Sequence, residues 1–396
     1  MNVSEQKKLK SNIWKFYLFD VFASMFFAIP IIVLFWQDNG LSLTEVMLLQ
    51  SFFSVLIFLF EIPTGYFADL YGRKNSLFIS GIAFFLAILI YSLGSSFTLF
   101  LFAEFFFALA VAFNSGAAEA FLYDTLVDLK QEKRYSYFNG RTMFFGLLTL
   151  AFANILGGFI GKIDLRWTFY LSLPFMFLLI PLSLSLYEPH RHKSVVKRSH
   201  FSHMSKILRF TLLENAALRW VIIYSSIITA LTAVGLWLYQ PYFVLSGIDI
   251  VYFGIIFALF QVFTALVARY ASDIEYSLGR KLSLVLLPIL LALSYFLMGF
   301  FVFWFSFLFI FLQQFVRGFS GPVLSDYVNK LTNGESRATI LSINSMFFHL
   351  LYALIIPFIG WIADVYSLVQ ALFVMAVTVV IASSFILFIL YRTKIL

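Results

Sequence analysis

The chain has 396 residues, 62% of them hydrophobic and 12% charged, with a net charge of +7. A soluble domain carries about 25% charged residues, so this composition, with a mean hydropathy of +0.93, excludes an ordinary globular domain and requires lipid as the solvent. With no cysteine, disulfides, thiolate nucleophiles and thiolate metal sites are excluded as well.

A bilayer-crossing helix needs roughly 20 apolar residues at about 1.5 Å each. Twelve runs meet that length: 14–37, 45–69, 76–95, 97–124, 139–161, 167–187, 217–240, 250–270, 282–302, 304–328, 339–363 and 367–391. They are too long and too uniformly apolar for barrel strands, and helices satisfy their own backbone polar groups in hydrocarbon. The expected fold class is an all-α membrane protein with twelve transmembrane helices.

Span 1 stands behind Lys7, Lys8, Lys10 and Lys15 and shows no small-residue cleavage site, which reads as a retained helix rather than a signal peptide. Further cations follow every even-numbered span: Arg73 and Lys74, Lys130 to Arg134, the cluster from Arg191 to Arg209, Arg280 and Lys281, Lys330 and Arg337, Arg392 and Lys394. The opposite loops hold only Lys162 and Arg166. This positive-inside pattern accounts for the net charge without nucleic acid and places both termini in the cytoplasm.

The polar segment 189–215 divides the chain into an N-terminal bundle, 1–188, and a C-terminal bundle, 216–396, of six spans each. Its histidines, His190, His192, His200 and His203, read as a solvated basic loop, and no metal site is expected. Met204 to Leu213 fits either a short amphipathic helix on the inner leaflet or a tether. An internal repeat supports the division. Glu132-Lys133-Arg134 followed by Thr142 recurs as Glu335-Ser336-Arg337 followed by Ser345, and Gly72-Arg73-Lys74 recurs as Gly279-Arg280-Lys281.

Ionisable residues inside the spans are costly unless paired or hydrated, so they are the candidates for proton coupling or substrate binding. They are Asp20 in span 1, Glu61 before Pro63 in span 2, Glu104 and Glu119 in span 4, Arg317 beside Gln313 and Gln314 in span 10, and His349 in span 11. A structural pairing or a wet vestibule explains Glu61 and Glu119 equally well, and His349 also reads as a packing residue. Arg317 calls for a bound anion or a carboxylate partner.

Between spans 2 and 3, Gly65, Asp69, Gly72, Arg73 and Lys74 form the pattern G-x-x-x-D-x-x-G-R-K. It resembles the signature loop of major facilitator superfamily transporters. That resemblance implies two six-helix bundles, a monomer, alternating access and a small-molecule substrate. It also implies a latch in which Gly65 lets helix 2 approach helix 11, Asp69 faces the helix 11 N-terminus, and Arg73 pairs with Asp124. The segments Glu61 to Gly65 and Ser115 to Asp124 resemble a drug/proton-antiporter-like branch. Two departures from that branch stand out: Glu104 occupies the place of a common arginine, and Gly157-Gly158 lack the usual proline.

No G-x-x-x-x-G-K-[ST] loop is present, so the expected energy source is a proton gradient with no cofactor. Neither H-E-x-x-H nor G-x-S-x-G occurs, and the chain does not read as an enzyme. The leading expectation is proton-coupled efflux of an amphipathic or cationic small molecule. The alternatives are symport or facilitated movement of an anionic metabolite anchored by Arg317, and a non-transporting membrane sensor or assembly partner.

Overall fold

The computed structural model describes residues 3–190, 211, 214–332 and 337–393. The basic loop expected after His190, and all but one residue of the stretch 204–213, lie outside the described residues. Among the described residues there is no strand, and the long elements are α1 (Val3–Ser24), α2 (Ile32–Asp38), α3 (Leu43–Tyr71), α4 (Arg73–Leu93), α5 (Phe97–Asp128), α6 (Tyr135–Ile163), α7 (Trp167–Leu184), α8 (Ala216–Leu245), α9 (Ile250–Phe300), α10 (Ile310–Lys330), α11 (Arg337–Val365) and α12 (Leu368–Arg392). Short 3-10 turns at Glu132–Arg134 and Trp304–Phe309 lead into α6 and α10.

Ten of the described helices are long and apolar enough to cross a membrane. One of them, α9, runs 51 residues, about 75 Å at the helical rise, and supplies spans 8 and 9. The two parts join at Gly279, which takes φ +74°. The same device separates α3 from α4, where Gly72 alone makes the turn at φ +112°. Both glycines precede Arg-Lys, so the sequence repeat is also a repeat of backbone conformation.

Span 1 departs from expectation: 14–37 is not one helix, because α1 stops at Ser24 and α2 starts at Ile32. Pro30 sits in the gap, where its ring and missing N–H weaken a continuous helix. The freed backbone is satisfied locally. Met25 N–H donates to Phe22 O, Ile31 N–H donates to Ala28 O, and Phe27 N–H donates to Ser172 Oγ of α7 at 3.2 Å.

The described chain forms two compact units. Unit 1 holds 3–41, 52–190 and 250–258; unit 2 holds 42–51, 211, 214–249, 259–332 and 337–393. Each unit therefore includes a helix end from the other half of the sequence.

In unit 1, α1 packs on α5, α6 and α7, and α4 packs on α5 and α7. Small residues set the spacing: Gly81 of α4 leaves only 3.2 Å for a Cβ against Leu179 of α7, and a Cβ on Gly158 of α6 would stand 2.9 Å from Gly254 of α9. An aromatic cluster of Phe35, Tyr91, Phe100 and Phe169 fills the interior, with ring centroids 4.5 to 5.6 Å apart. In unit 2, α8 packs on α10, α11 and α12. Its interior is rich in buried tyrosines whose hydroxyls find acceptors, as Tyr224 does at Leu284 O (2.5 Å), Tyr295 at Leu231 O (2.6 Å) and Tyr242 at Phe301 O (2.8 Å).

Candidate functional site

Unit 2 contains a cavity of about 200 Å³ between α8 and α10, lined by Thr229, Thr232 and Tyr239 on one side and Gln314, Arg317 and Ser320 on the other. Helix α10 reaches this position because Gly318 has no Cβ. A side chain there would press on Thr264 O at 2.5 Å and on Val267 of α9 at 3.0 Å. The adjacent Arg317 is exposed within the cavity, and among the described residues no carboxylate forms an ion pair with it.

The wall behind Arg317 is a fixed polar network. Gln314 Nε2 donates to Tyr239 Oη at 3.1 Å, while Thr264 Oγ1 donates to Gln314 Oε1 at 3.1 Å. Tyr239 Oη donates to Gln313 Oε1 at 2.9 Å, and Gln313 Nε2 donates to Ser294 Oγ at 2.9 Å. Buried polar groups joined in this way hold their rotamers. The cavity thus presents one guanidinium with five N–H donors against hydroxyls and amides that are already oriented. That chemistry suits a carboxylate, a phosphate or another planar acceptor.

The acidic candidates in unit 1 have different settings. Asp20 on α1 is half-buried, and its carboxylate lies in the space left by Gly146 of α6, with Ser24 alongside. Nearby, Arg141 of α6 sits over the rings of Tyr17, Tyr137 and Phe145 at 5.7 to 5.8 Å. Glu104 is only 4% exposed and accepts a 2.5 Å hydrogen bond from Tyr91 Oη inside the aromatic cluster. Glu61 is half-buried one turn before Thr64, whose hydroxyl bonds Phe60 O and Ala112 O; Glu119 on α5 is exposed. In unit 2, His349 of α11 is half-buried against Phe348.

Of the latch residues, Asp69, Arg73 and Asp124 come together in unit 1. Arg73 Nη2 lies 2.8 Å from Asp69 Oδ1, and its Nε lies 3.8 Å from Asp124 Oδ2. Gly65 faces Gly116 of α5, where a Cβ on Gly116 would stand 3.5 Å from the Gly65 backbone. Glu188, which sequence reasoning left at the edge of the loop, completes the group. Its carboxylate accepts the N–H of Arg73 and of Lys74, both at 2.8 Å, at the start of α4.

Two further residues were missed. Asp364 of α11 accepts the N–H of Leu43 at 3.0 Å, the N–H of Thr44 at 2.7 Å and the Thr44 hydroxyl at 2.5 Å, capping α3 within unit 2. Arg166 donates to Ser92 O (3.0 Å), Gly94 O (2.7 Å) and Asn39 Oδ1 (2.9 Å) and stacks over Phe35, tying the ends of α2, α4 and α7. A charge at the end of an apolar run, alone at Asp364 and beside Lys162 and Asp164 at Arg166, was the available signal. Among the described residues no group of acids and histidines is arranged to hold a metal ion.

Ten long apolar helices with ionisable side chains inside them define a multi-pass membrane protein. The sequence profile of the Major Facilitator Superfamily matches residues 16–274 and 245–395. The chain belongs to that superfamily. A comparison with curated protein sequences finds no match. Among solved structures, a point mutant of the nucleoside transporter NupG is similar with a TM-score of 0.81 at 14% identity, over 96% of this chain and 98% of that one. A bacterial homologue of the human lysosomal transporter Spinster, inward-facing and unoccupied, gives 0.71 at 15% identity over 98% and 97%. A POT family transporter in complex with 5-aminolevulinic acid gives 0.70 at 14% identity over 95% and 94%. Identities this low speak for a shared fold and do not select a branch of the family.

Proposed function

We propose that this chain is a secondary active transporter, working by alternating access as a monomer, that moves an anionic or strongly polar metabolite held by Arg317. One observation carries the reading: a guanidinium exposed in a preorganised polar cavity with no described carboxylate paired to it. A cation fixed inside a membrane bundle without a partner is stabilised by the ligand that supplies one. The proton gradient is the proposed energy source, with Asp20 as the coupling carboxylate, since it lies half-buried beside Ser24 and forms no ion pair among the described residues. The location proposed is a bacterial inner membrane with both termini cytoplasmic, which the placement of the cations supports.

Proton-coupled efflux of an amphipathic cation is the second reading, favoured by the aromatic setting of Asp20 near Tyr17 and Phe145. The two separate in proteoliposomes under an imposed pH gradient, with small organic anions and lipophilic cations added in turn. Proton flux evoked by an anion and lost in Asp20→Asn supports the first reading. Flux evoked by cations alone removes it.

A further inference from the structure

The second part of α9 and α12 touch at both ends of a common seam in unit 2. At the basic-loop end, Lys281 Nζ lies 5.5 Å over the ring of Tyr391. At the other end, Phe296 packs on Phe373 with ring centroids 5.7 Å apart, and a Cβ on Gly299 would stand 3.1 Å from that same ring. Between these contacts the helices part and leave a groove of about 460 Å³. Its walls are apolar: Ile289, Leu293 and Phe296 from α9, and Val377, Val380 and Ile381 from α12. Those six side chains are 42% to 65% exposed, so among the described residues none closes the groove over them.

Inside a bilayer such a groove is not left empty. An unfilled cleft forfeits the dispersion contacts of its lining, and water there would find none of the polar partners it needs. Hydrocarbon is the filling the surroundings supply. Ile289 lies about 12 Å and Phe296 about 22 Å beyond Lys281 at the helical rise, so the groove lies around the middle of a hydrocarbon core of about 30 Å, where the tail of a lipid headed at Lys281 ends.

The bottom of the seam is cationic. Lys281 and Arg392 are both exposed there, in contact with the rings of Tyr391 and Phe388. Unit 1 shows what its counterpart requires. At the repeat-related helix start, the N–H groups of Arg73 and Lys74 are covered by the Glu188 carboxylate. At the start of the second part of α9, no carboxylate among the described residues is hydrogen-bonded to the N–H groups of Arg280 and Lys281 in that way.

We propose that this seam binds an anionic phospholipid of the leaflet on the basic-loop side, with its phosphate at Lys281 and Arg392 and one acyl chain lying in the groove. The site is separate from the Arg317 cavity and does not depend on which solute the protein carries.

The test is native mass spectrometry of the full chain released from bilayers of phosphatidylglycerol and phosphatidylcholine in equal amounts. Wild type should retain phosphatidylglycerol in preference. Lys281→Ala and Arg392→Ala should each lower that preference about fivefold, the effect of one surface cation on an anionic lipid, while Lys281→Arg keeps it. Ala376→Trp, which fills the groove, should lose bound lipid of both headgroups. A phosphatidylglycerol carrying a photoreactive acyl chain should crosslink wild type within 289–296 or 376–381, which needs no variant to fold. Unchanged preference in the double alanine variant, displacement by inorganic phosphate alone, or crosslinks confined to other helices would overturn the proposal.

Discussion

Asp364 offers the sharpest test of how unit 2 holds the start of α3. Its carboxylate covers the first two N–H groups of α3 and the Thr44 hydroxyl. Ser42 and Glu45 close a reciprocal cap beside it, with Ser42 N–H donating to Glu45 Oε2 at 2.9 Å and Glu45 N–H donating to Ser42 Oγ at 3.2 Å. Only residues 42–51 of α3 belong to unit 2, and the remainder of the helix belongs to unit 1. Asp364 therefore fastens the start of α3 within unit 2. Removing a capping side chain costs about 0.5–2 kcal/mol, and an anion at a helix N-terminus contributes about 0.3–1 kcal/mol. For Asp364→Ala we expect about 1–2 kcal/mol, a shift of roughly 5- to 30-fold towards the released state. The chain has no cysteine, so a single thiol reports cleanly. Met47 is 0% exposed and lies where a Cβ on Gly360 would press on it. In a Met47→Cys background, maleimide labelling in membranes should accelerate by that factor in Asp364→Ala, and less in Asp364→Asn, which keeps one acceptor. Equal labelling rates with and without Asp364 would refute the fastening.

Gly72→Ala and Gly279→Ala each place a side chain at positive φ with an extended ψ, costing about 1–3 kcal/mol, and both should lower the melting temperature. Glu188→Gln weakens the anionic cap on α4 and should destabilise by about 0.5–2 kcal/mol, read as a shift in thermal unfolding of the purified protein. Glu104→Gln and Tyr91→Phe should be non-additive in a thermal-stability cycle because the two groups share one short buried bond. Substrate-evoked proton flux should survive Glu104→Gln; its loss would assign Glu104 a coupling role instead of a structural one.

The parts of the fold legible in the sequence were those set by local chemistry. Apolar run length fixed the crossings, and Gly-Arg-Lys marked both turns because only glycine takes those φ values. Arg73 lies close to Asp69 and to Asp124 in the structure; the contact with Asp124 is one the family resemblance implied, and the i,i+4 contact with Asp69 is not. What stayed hidden depends on distant partners. The break in span 1 needed Pro30 together with Ser172, far along the chain, to satisfy the opened backbone. Arg317 stood out as a mid-span charge, yet its cavity is completed by Thr229, Thr232 and Tyr239 of α8, whose inward face no periodicity reveals in an almost uniformly apolar helix. Glu104 also stood out as a mid-span charge, and its partner Tyr91, across the α4–α5 turn, is one that no spacing reveals.

The most direct test of the account is substrate-evoked flux in proteoliposomes containing wild type, Arg317→Lys and Arg317→Leu at matched protein content. An anion anchored by the guanidinium should be transported by wild type. It should be carried with weakened apparent affinity by Arg317→Lys, which keeps the charge but loses the fork of donors, and not at all by Arg317→Leu. Undiminished anion flux in Arg317→Leu, or flux of cations alone in all three proteins, would contradict it.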